Sequence, residues 1–169
     1  MAVPATRSEN QATPPLAPVG GLGRITAFVE TGDGRYRITL TGITRFRILD
    51  ETGSDRPFRI CRVSAADFAS DFTPISGDGA VDRAALLKTV RAYLDAYSLQ
   101  ADWDSINRAG NETLVNALSM ISPFGPAEKQ ALLEAPDLKT RAETLVAIAQ
   151  FSLAQRATGS GEDPPTSIN

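Results

Sequence analysis

The 169-residue sequence contains no histidine, one cysteine and three lysines, and each shortage excludes a kind of chemistry. Without histidine there is no Ser-His or Cys-His nucleophile pair and no histidine metal site. Cys61 has no second cysteine to pair with, so an intrachain disulfide is impossible. Cys61 lies in the alternating run FRICRV without a candidate base, and we expect it to be a buried strand residue. The lysines lie outside any Gly-x4-Gly-Lys-Ser/Thr phosphate-binding loop, so we expect no cofactor; they are Lys88, Lys129 and Lys139.

Long apolar segments are also missing. No run approaches the roughly 18 apolar residues that a membrane-spanning helix needs, and residues 1–20 have no apolar segment typical of a secretory signal. We therefore expect a cytoplasmic protein that does not bind a membrane. Carboxylates are numerous, but no pattern brings two of them into one cleft, and no serine is singled out as a partner for a lysine. These observations favour a protein that is not an enzyme.

The charge of the chain is slightly negative and unevenly spread. The net charge is -3 and the pI is near 5.0, which argues against nucleic acid as the main partner. Residues 24–62 contain eight arginines against five acidic residues, whereas residues 63–169 contain eight basic against fourteen acidic residues. A mildly basic first part is therefore joined to an acidic second part.

The basic part has the alternation of β-strands. Strand-like segments are predicted over residues 24–30, 35–41, 43–49 and 58–63, with Gly42 separating the second from the third. Between the first two, Thr-Gly-Asp-Gly at residues 31–34 is a hairpin signal. In the second segment Tyr36, Ile38 and Leu40 alternate with arginines and threonines, which predicts a half-buried strand. Together the segments predict an antiparallel meander with a one-sided core.

From residue 81 onward the apolar period becomes helical. Asp82 is expected to cap a helix whose apolar stripe is Leu86, Leu87, Val90, Tyr93, Leu94 and Tyr97. A second helical region begins at Trp103, and NETLVNALSMI after Gly110 predicts a third with Leu114, Val115, Leu118 and Ile121 on one face. Strands first and helices second predict the α+β class, not a parallel doubly wound sheet.

The run PFGPAEKQALLEAPDL, residues 123–138, is punctuated by prolines. Pro123 stops the preceding helix, Gly125 occupies an N-cap position and Pro126 the first helical position. Leu132 and Leu133 are expected to supply the buried contact of this short helix. Pro136 ends it, and Asp137 then caps a last helix whose apolar residues are Leu138, Ala142, Leu145, Val146, Ala149 and Leu153.

Two blocks of the sequence resemble a known family. Residues 23–49, GRITAFVETGDGRYRITLTGITRFRIL, look like the central β-hairpins of the Lon protease N-terminal domain, also called the LON substrate-binding domain. Residues 123–145 resemble the helical corner of the same family. The matching positions there are Pro123, Phe124, Glu128, Lys129, Gln130, Leu132, Leu133, Glu134 and Arg141. The resemblance covers most of residues 20–153 and implies a PUA-like antiparallel β-barrel followed by a C-terminal α-helical bundle.

The resemblance also implies a division of the chain. Residues 1–20 are a proline-rich arm or the remnant of a truncated strand region, and residues 21–75 are the β-barrel part. Residues 80–156 are the helical bundle, and residues 157–169 a disordered tail. The apolar first strand of the family has no counterpart here, so we expect a barrel without its first strands. Its unpaired strand edges would favour self-association, and a chain extended at its N-terminus would be more stable.

The family implies a function in handling protein substrates. The chain resembles the stand-alone members, without the ATPase and protease modules of full-length Lon. We therefore expect a non-catalytic protein that binds peptides or unfolded protein segments at strand edges and apolar clefts, and that assists ATP-dependent proteolysis. The alternative is an RNA-binding PUA-like module using the arginine-bearing strands, with Arg35, Arg37, Arg45 and Arg47 on one face. The scarcity of lysine argues against a phosphate-binding groove, and a solvated exterior accounts for these arginines more simply.

Overall fold

The chain divides into a strand-containing and a helix-containing unit. The computed structural model describes residues 14–53, 57–73 and 78–158, and its two compact units are Met1–Pro74 and Ile75–Asn169. An antiparallel sheet lies in the first unit and the helices lie in the second, so the predicted α+β class is confirmed. Most of the predicted arm and nearly all of the predicted tail lie outside the described residues.

The described strands of the first unit form one antiparallel sheet in the order β1-β2-β3. β1 is Val19–Glu30, β2 is Tyr36–Thr52 and β3 is Ile60–Ser64. The turn between β1 and β2 contains Gly32 and Gly34, both with positive φ, which is a conformation that glycine adopts without strain. A 3₁₀ segment, Ala66–Phe72, follows β3. The PUA-like barrel stays a prediction.

β2 is longer than the sequence predicted, because Gly42 does not end a strand. Gly42 lies opposite Gly23, Thr44 lies opposite Leu22, and Ile43 between them has no counterpart in β1. Such an extra residue is a β-bulge, which bends a strand and raises its twist without ending it. The predicted strands 35–41 and 43–49 are therefore parts of one bent strand.

The first unit buries few apolar side chains. In its described part these are Ala17, Val19 and Phe68. A half-buried strand has one face covered, and the sequence predicted Tyr36, Ile38 and Leu40 on that covered face. This is wrong, because about half of each of these residues is exposed to water. The expectation that Cys61 is buried is also wrong, because it is only partly buried. Alternation fixes which residues share a face, but burial requires another element against that face.

In the described part of the second unit, five helices follow a short 3₁₀ turn at Asp78–Ala80. They are α1 at Arg83–Ala96, α2 at Trp103–Arg108, α3 at Asn111–Ile121, α4 at Pro126–Glu134 and α5 at Leu138–Ala157. α5 packs against α1, α3 and α4. The core between them consists of Val81, Leu86, Val90, Leu114, Val115, Leu118, Leu132, Ala142 and Leu145.

The predicted helix starts are confirmed. Asp82 accepts a hydrogen bond from the Ala85 N–H at 2.9 Å, and Asp137 accepts one from the Thr140 N–H at 2.7 Å. Gly125 is the N-cap of α4, with Pro126 at its first position. Ile121, which the sequence places on the same face as Leu114, Val115 and Leu118, is the last residue of α3 and is 73% exposed. Within the described ranges no helix is long and apolar enough to cross a membrane.

We expect adjacent leucines of α4 to differ sharply in their contribution to stability. Leu132 is 2% exposed and belongs to the core, whereas Leu133 is only partly buried. Leu132→Ala should lower the free energy of unfolding by about 2–5 kcal/mol, because it removes buried methyl groups and leaves a cavity. Leu133→Ala is the matched control and should cost clearly less. Urea unfolding of both variants measures the difference, and equal losses would contradict the assignment.

The cap of α5 should make stability depend on pH. The backbone N–H of Thr140 donates to the carboxylate of Asp137 and lowers the pKa of that side chain. A lowered folded-state pKa stabilises the fold above the unfolded-state pKa, and this contribution is lost as pH falls through the folded-state pKa. Asp137→Asn keeps a capping oxygen that does not titrate. Its unfolding free energy should therefore fall less than that of the parent chain between about pH 5 and pH 2. Identical pH profiles in urea unfolding would contradict this expectation.

Candidate functional site

One face of the β1–β2 hairpin consists mostly of large apolar side chains, with Glu30 opposite Tyr36 next to the turn. We call this the apolar face, and it consists of Ile25, Phe28, Tyr36, Ile38 and Leu40. The ladder sets Phe28 opposite Ile38 and Ile25 opposite Leu40, and directly opposed residues of an antiparallel pair share a face. The rings of Phe28 and Tyr36 stack with their centroids 4.9 Å apart. The exposed fraction of these five residues ranges from 49% to 60%, so water reaches all of them.

The other face of the hairpin is mainly polar, although it also contains Ala27 and Val29. We call it the polar face, defined by Arg24, Thr26, Arg37, Thr39 and Thr41. Thr26 is a bulge residue of β1, and its hydroxyl lies 3.1 Å from the hydroxyl of Thr41. The same hydroxyl donates to the Thr39 carbonyl at 3.4 Å. In the described part of the chain neither Arg24 nor Arg37 forms an ion pair.

The outer edge of β2 is only partly paired. On this edge β3 pairs with residues 47–52 of β2, and in the described ranges no strand pairs with residues 36–46 there. At Arg45 a side chain takes the place of a strand, because the Asp71 carboxylate accepts the Arg45 backbone N–H at 2.9 Å. Residues 36–41 lie beyond this point. We call them the open edge.

Arg45 anchors the 3₁₀ segment to β2. Its Nε and Nη2 donate to the two carboxylate oxygens of Asp71 at 2.9 and 2.7 Å. The guanidinium also lies 4.4 Å from the ring centroid of Phe68. Arg45 is 7% exposed, so this bidentate pair is largely removed from water. Nothing in the sequence signals a partner for Arg45, since Asp71 lies far along the chain in the irregular stretch that follows the strands.

The four arginines proposed for RNA binding do not act as one free group. Arg45 is paired with Asp71, Arg47 with Asp67 at 2.7 Å, and Arg35 lies 3.8 Å from the Asp33 carboxylate. Because Ile43 is an extra residue in β2, the alternation of side chains shifts by one position between Arg37 and Arg45. The two arginines therefore lie on opposite faces of the sheet. RNA binding stays a prediction. Binding of generic RNA that weakens steeply with salt would support it, and no shift at low salt would remove it.

The family-signature residues of the helical corner mainly hold helices together. Arg141 of α5 donates from Nε to the Leu132 carbonyl at 3.0 Å and from Nη1 to Asn116 Oδ1 at 2.6 Å. It thereby links α5 to α4 and α3. Lys129 Nζ donates to the Met120 carbonyl at 3.2 Å, near the end of α3.

Other signature residues lie in or next to α4. Gln130 donates to Glu134 within α4 at 2.7 Å. The ring of Phe124 meets that of Tyr93 edge-on, with the centroids 5.5 Å apart. Burial raises the pKa of Tyr93 to about 12. Pro123 lies in the connection between α3 and α4, and Glu128 is in the first turn of α4. No group of three or more His, Cys, Asp or Glu side chains is placed to hold a metal ion within residues 14–53, 57–73 and 78–158.

A comparison with protein families decides the relationship that the sequence suggested. The family described as the ATP-dependent protease La (LON) substrate-binding domain matches residues 2–150. The chain belongs to the LON substrate-binding domain family. The matched family is a substrate-binding domain and not a catalytic one. A comparison with curated proteins finds no match. Membership in the LON substrate-binding domain family connects the chain with substrate binding in Lon proteolysis.

The pairing of Arg45 with Asp71 should be important for the stability of the first unit. Asp71→Ala should lower the free energy of unfolding by about 3 kcal/mol, because it leaves a buried guanidinium without its counter-charge. Asp67→Ala is the matched control, since it removes the exposed partner of Arg47 and should cost at most about 1 kcal/mol. Urea unfolding measures both losses. A small effect of Asp71→Ala, equal to that of Asp67→Ala, would contradict the anchoring role.

Proposed function

We propose that this chain binds extended, apolar segments of other proteins on the apolar face of its β1–β2 hairpin, and that it does so in support of ATP-dependent proteolysis. The proposal assigns it binding and not catalysis. Its partners are peptides and unfolded protein segments, which expose the apolar side chains that folded proteins bury.

The observation that carries the proposal is the exposure of the apolar face. Five large apolar side chains share one face of the β1–β2 ladder, and each is about half exposed or more. Contiguous apolar surface of this kind marks interaction sites in soluble proteins. Ligand side chains that cover it gain roughly 25 cal/mol for each Å² of apolar area removed from water.

Family membership supports the same proposal independently. The matched family is named for substrate binding in an ATP-dependent protease, and the substrates of such a protease are proteins. An apolar face also suits a surface that must accept many sequences, because apolar contacts have little directional requirement. Two signature residues of the helical corner, Lys129 and Arg141, are engaged in contacts between helices, which favours the hairpin as the binding surface.

The binding test uses an unfolded protein as the probe. Reduced and carboxymethylated lactalbumin, labelled with a fluorophore, is titrated with the chain and followed by anisotropy. The chain should bind this unfolded form and not native lactalbumin. Ile38→Thr should weaken binding about fivefold, because removing apolar contact area of this size costs roughly 1 kcal/mol.

A matched control is available on the opposite face of the same hairpin. Val29 lies opposite Arg37 and is 45% exposed, and Val29→Thr makes a similar apolar-to-hydroxyl change without touching the apolar face. It should leave binding unchanged. Thermal unfolding verifies that both variants are folded. Equal affinities of Ile38→Thr and the parent chain would reject the apolar face as the binding surface.

A further inference from the structure

We propose that the open edge of β2 accepts an added ligand strand whose residues alternate between apolar and acidic. The inference rests on the proposed function and specifies its ligand, because it states which pattern of side chains a bound segment carries. The argument depends on the backbone of residues 36–41, on the two faces of the hairpin and on the charge of Arg37.

The backbone of the open edge is suited to strand addition. In an antiparallel ladder, alternate residues direct their N–H and C=O groups to opposite sides, so a strand paired on one side presents donors and acceptors on the other. β3 uses this same side of β2 further along, over residues 47–52. The bulge residues of β2 are Ile43 and Leu49, so residues 36–41 form a regular run. An extended peptide can pair with such an edge through its main chain.

The two faces impose a pattern on the ligand. Side chains of an added strand point alternately to the two faces of the sheet. Every second ligand residue would therefore lie beside Tyr36, Ile38 and Leu40, where an apolar side chain fits. The residues between would lie beside Arg37, Thr39 and Thr41. Carboxylates fit there, because Arg37 has no ion-pair partner among the described residues and threonine hydroxyls can donate to an acidic oxygen.

Charge favours an acidic ligand over a second copy of this chain. If two copies paired through their open edges in antiparallel fashion about Ile38, each Arg37 would lie opposite a Thr39. No acidic residue lies within residues 35–41, so the arginines at positions 35 and 37 of both copies would gather on one face. Like charges near one another on a sheet face are destabilising. An acidic, alternating segment meets the same edge with charges of opposite sign.

The test compares peptides that differ only in pattern or in charge. One labelled peptide of about eight residues alternates valine and glutamate, and a second has the same composition in separate blocks. A third alternates valine and lysine. In fluorescence anisotropy, the peptide that alternates valine and glutamate should bind at least about fivefold more tightly than either of the others. A fivefold difference in affinity is the size expected for one cross-strand charge pair. Equal affinities for the alternating and block peptides would overturn the inference.

A charge reversal tests the role of Arg37. Arg37→Glu should shift the preference from the valine–glutamate to the valine–lysine peptide by about fivefold or more. Arg24→Glu is the matched control, because Arg24 lies on the same polar face but in β1, away from the open edge. It should leave the preference unchanged. Thermal unfolding verifies that both variants fold, and an unchanged preference in Arg37→Glu would overturn the inference.

N-methylation of the peptide tests backbone pairing directly. In a paired strand only every second N–H faces the protein. Methylating either the valine or the glutamate amides should therefore abolish binding in one case and preserve it in the other. Equal effects of the two sets would show that side chains alone make the contact, and would overturn strand addition.

The outcomes separate this inference from the proposed function. If unfolded lactalbumin binding still depends on Ile38 but the peptides are not discriminated, the edge inference fails and the proposed function stands. If the chain binds neither the unfolded protein nor any peptide, both fail. Sedimentation of the chain alone tests whether a second copy of the chain occupies the open edge. A dimer that Ile38→Pro dissociates and that no peptide competes for would assign the open edge to a second copy and overturn the inference.

Discussion

The pairing of Arg45 with Asp71 is the interaction on which the first unit depends. The described part of that unit buries few apolar side chains, and the aromatic ring among them, Phe68, lies against the Arg45 guanidinium. The same carboxylate binds both the side chain and the backbone N–H of Arg45. One acidic residue therefore fixes the position of the 3₁₀ segment and closes the edge of β2 at that point. A polar contact here performs the organising role that an apolar cluster performs in the helical unit.

Irregularities in the ladder determine what the hairpin offers to a ligand. The bulge residue Ile43 ends the part of β2 in which apolar and polar side chains alternate, and the bulge residue Thr26 lies within the facing part of β1. Between the turn and Ile43, β2 alternates without interruption, which gives one apolar and one polar face. Beyond Ile43 the register changes, and Arg45 and Arg47 are engaged with acidic residues. The proposed binding surface and the anchored part of the same strand are thus separated by a single extra residue.

Local signals in the sequence predicted much of this fold, and long-range contacts account for what they missed. The helix starts at Asp82, Gly125 and Asp137 could be read directly, because a cap depends on residues within one turn. The alternation of residues 36–41 correctly assigned which side chains share a face. Burial could not be read from it, since an apolar face is buried only if another element covers it. The partner of Arg45 was also inaccessible, because many carboxylates were available and only the folded chain selects Asp71.

The shortness of the open edge has a consequence for how long a ligand stays bound. Six residues of strand extend over about 20 Å. A longer ligand strand would need the backbone N–H of Arg45, which already donates to the Asp71 carboxylate. A ligand segment held by so few main-chain hydrogen bonds would bind weakly. Because weak affinity among related complexes mainly reflects a high dissociation rate, such a segment would dissociate quickly. In the proposed complex, rapid exchange would let one surface bind many chains in succession.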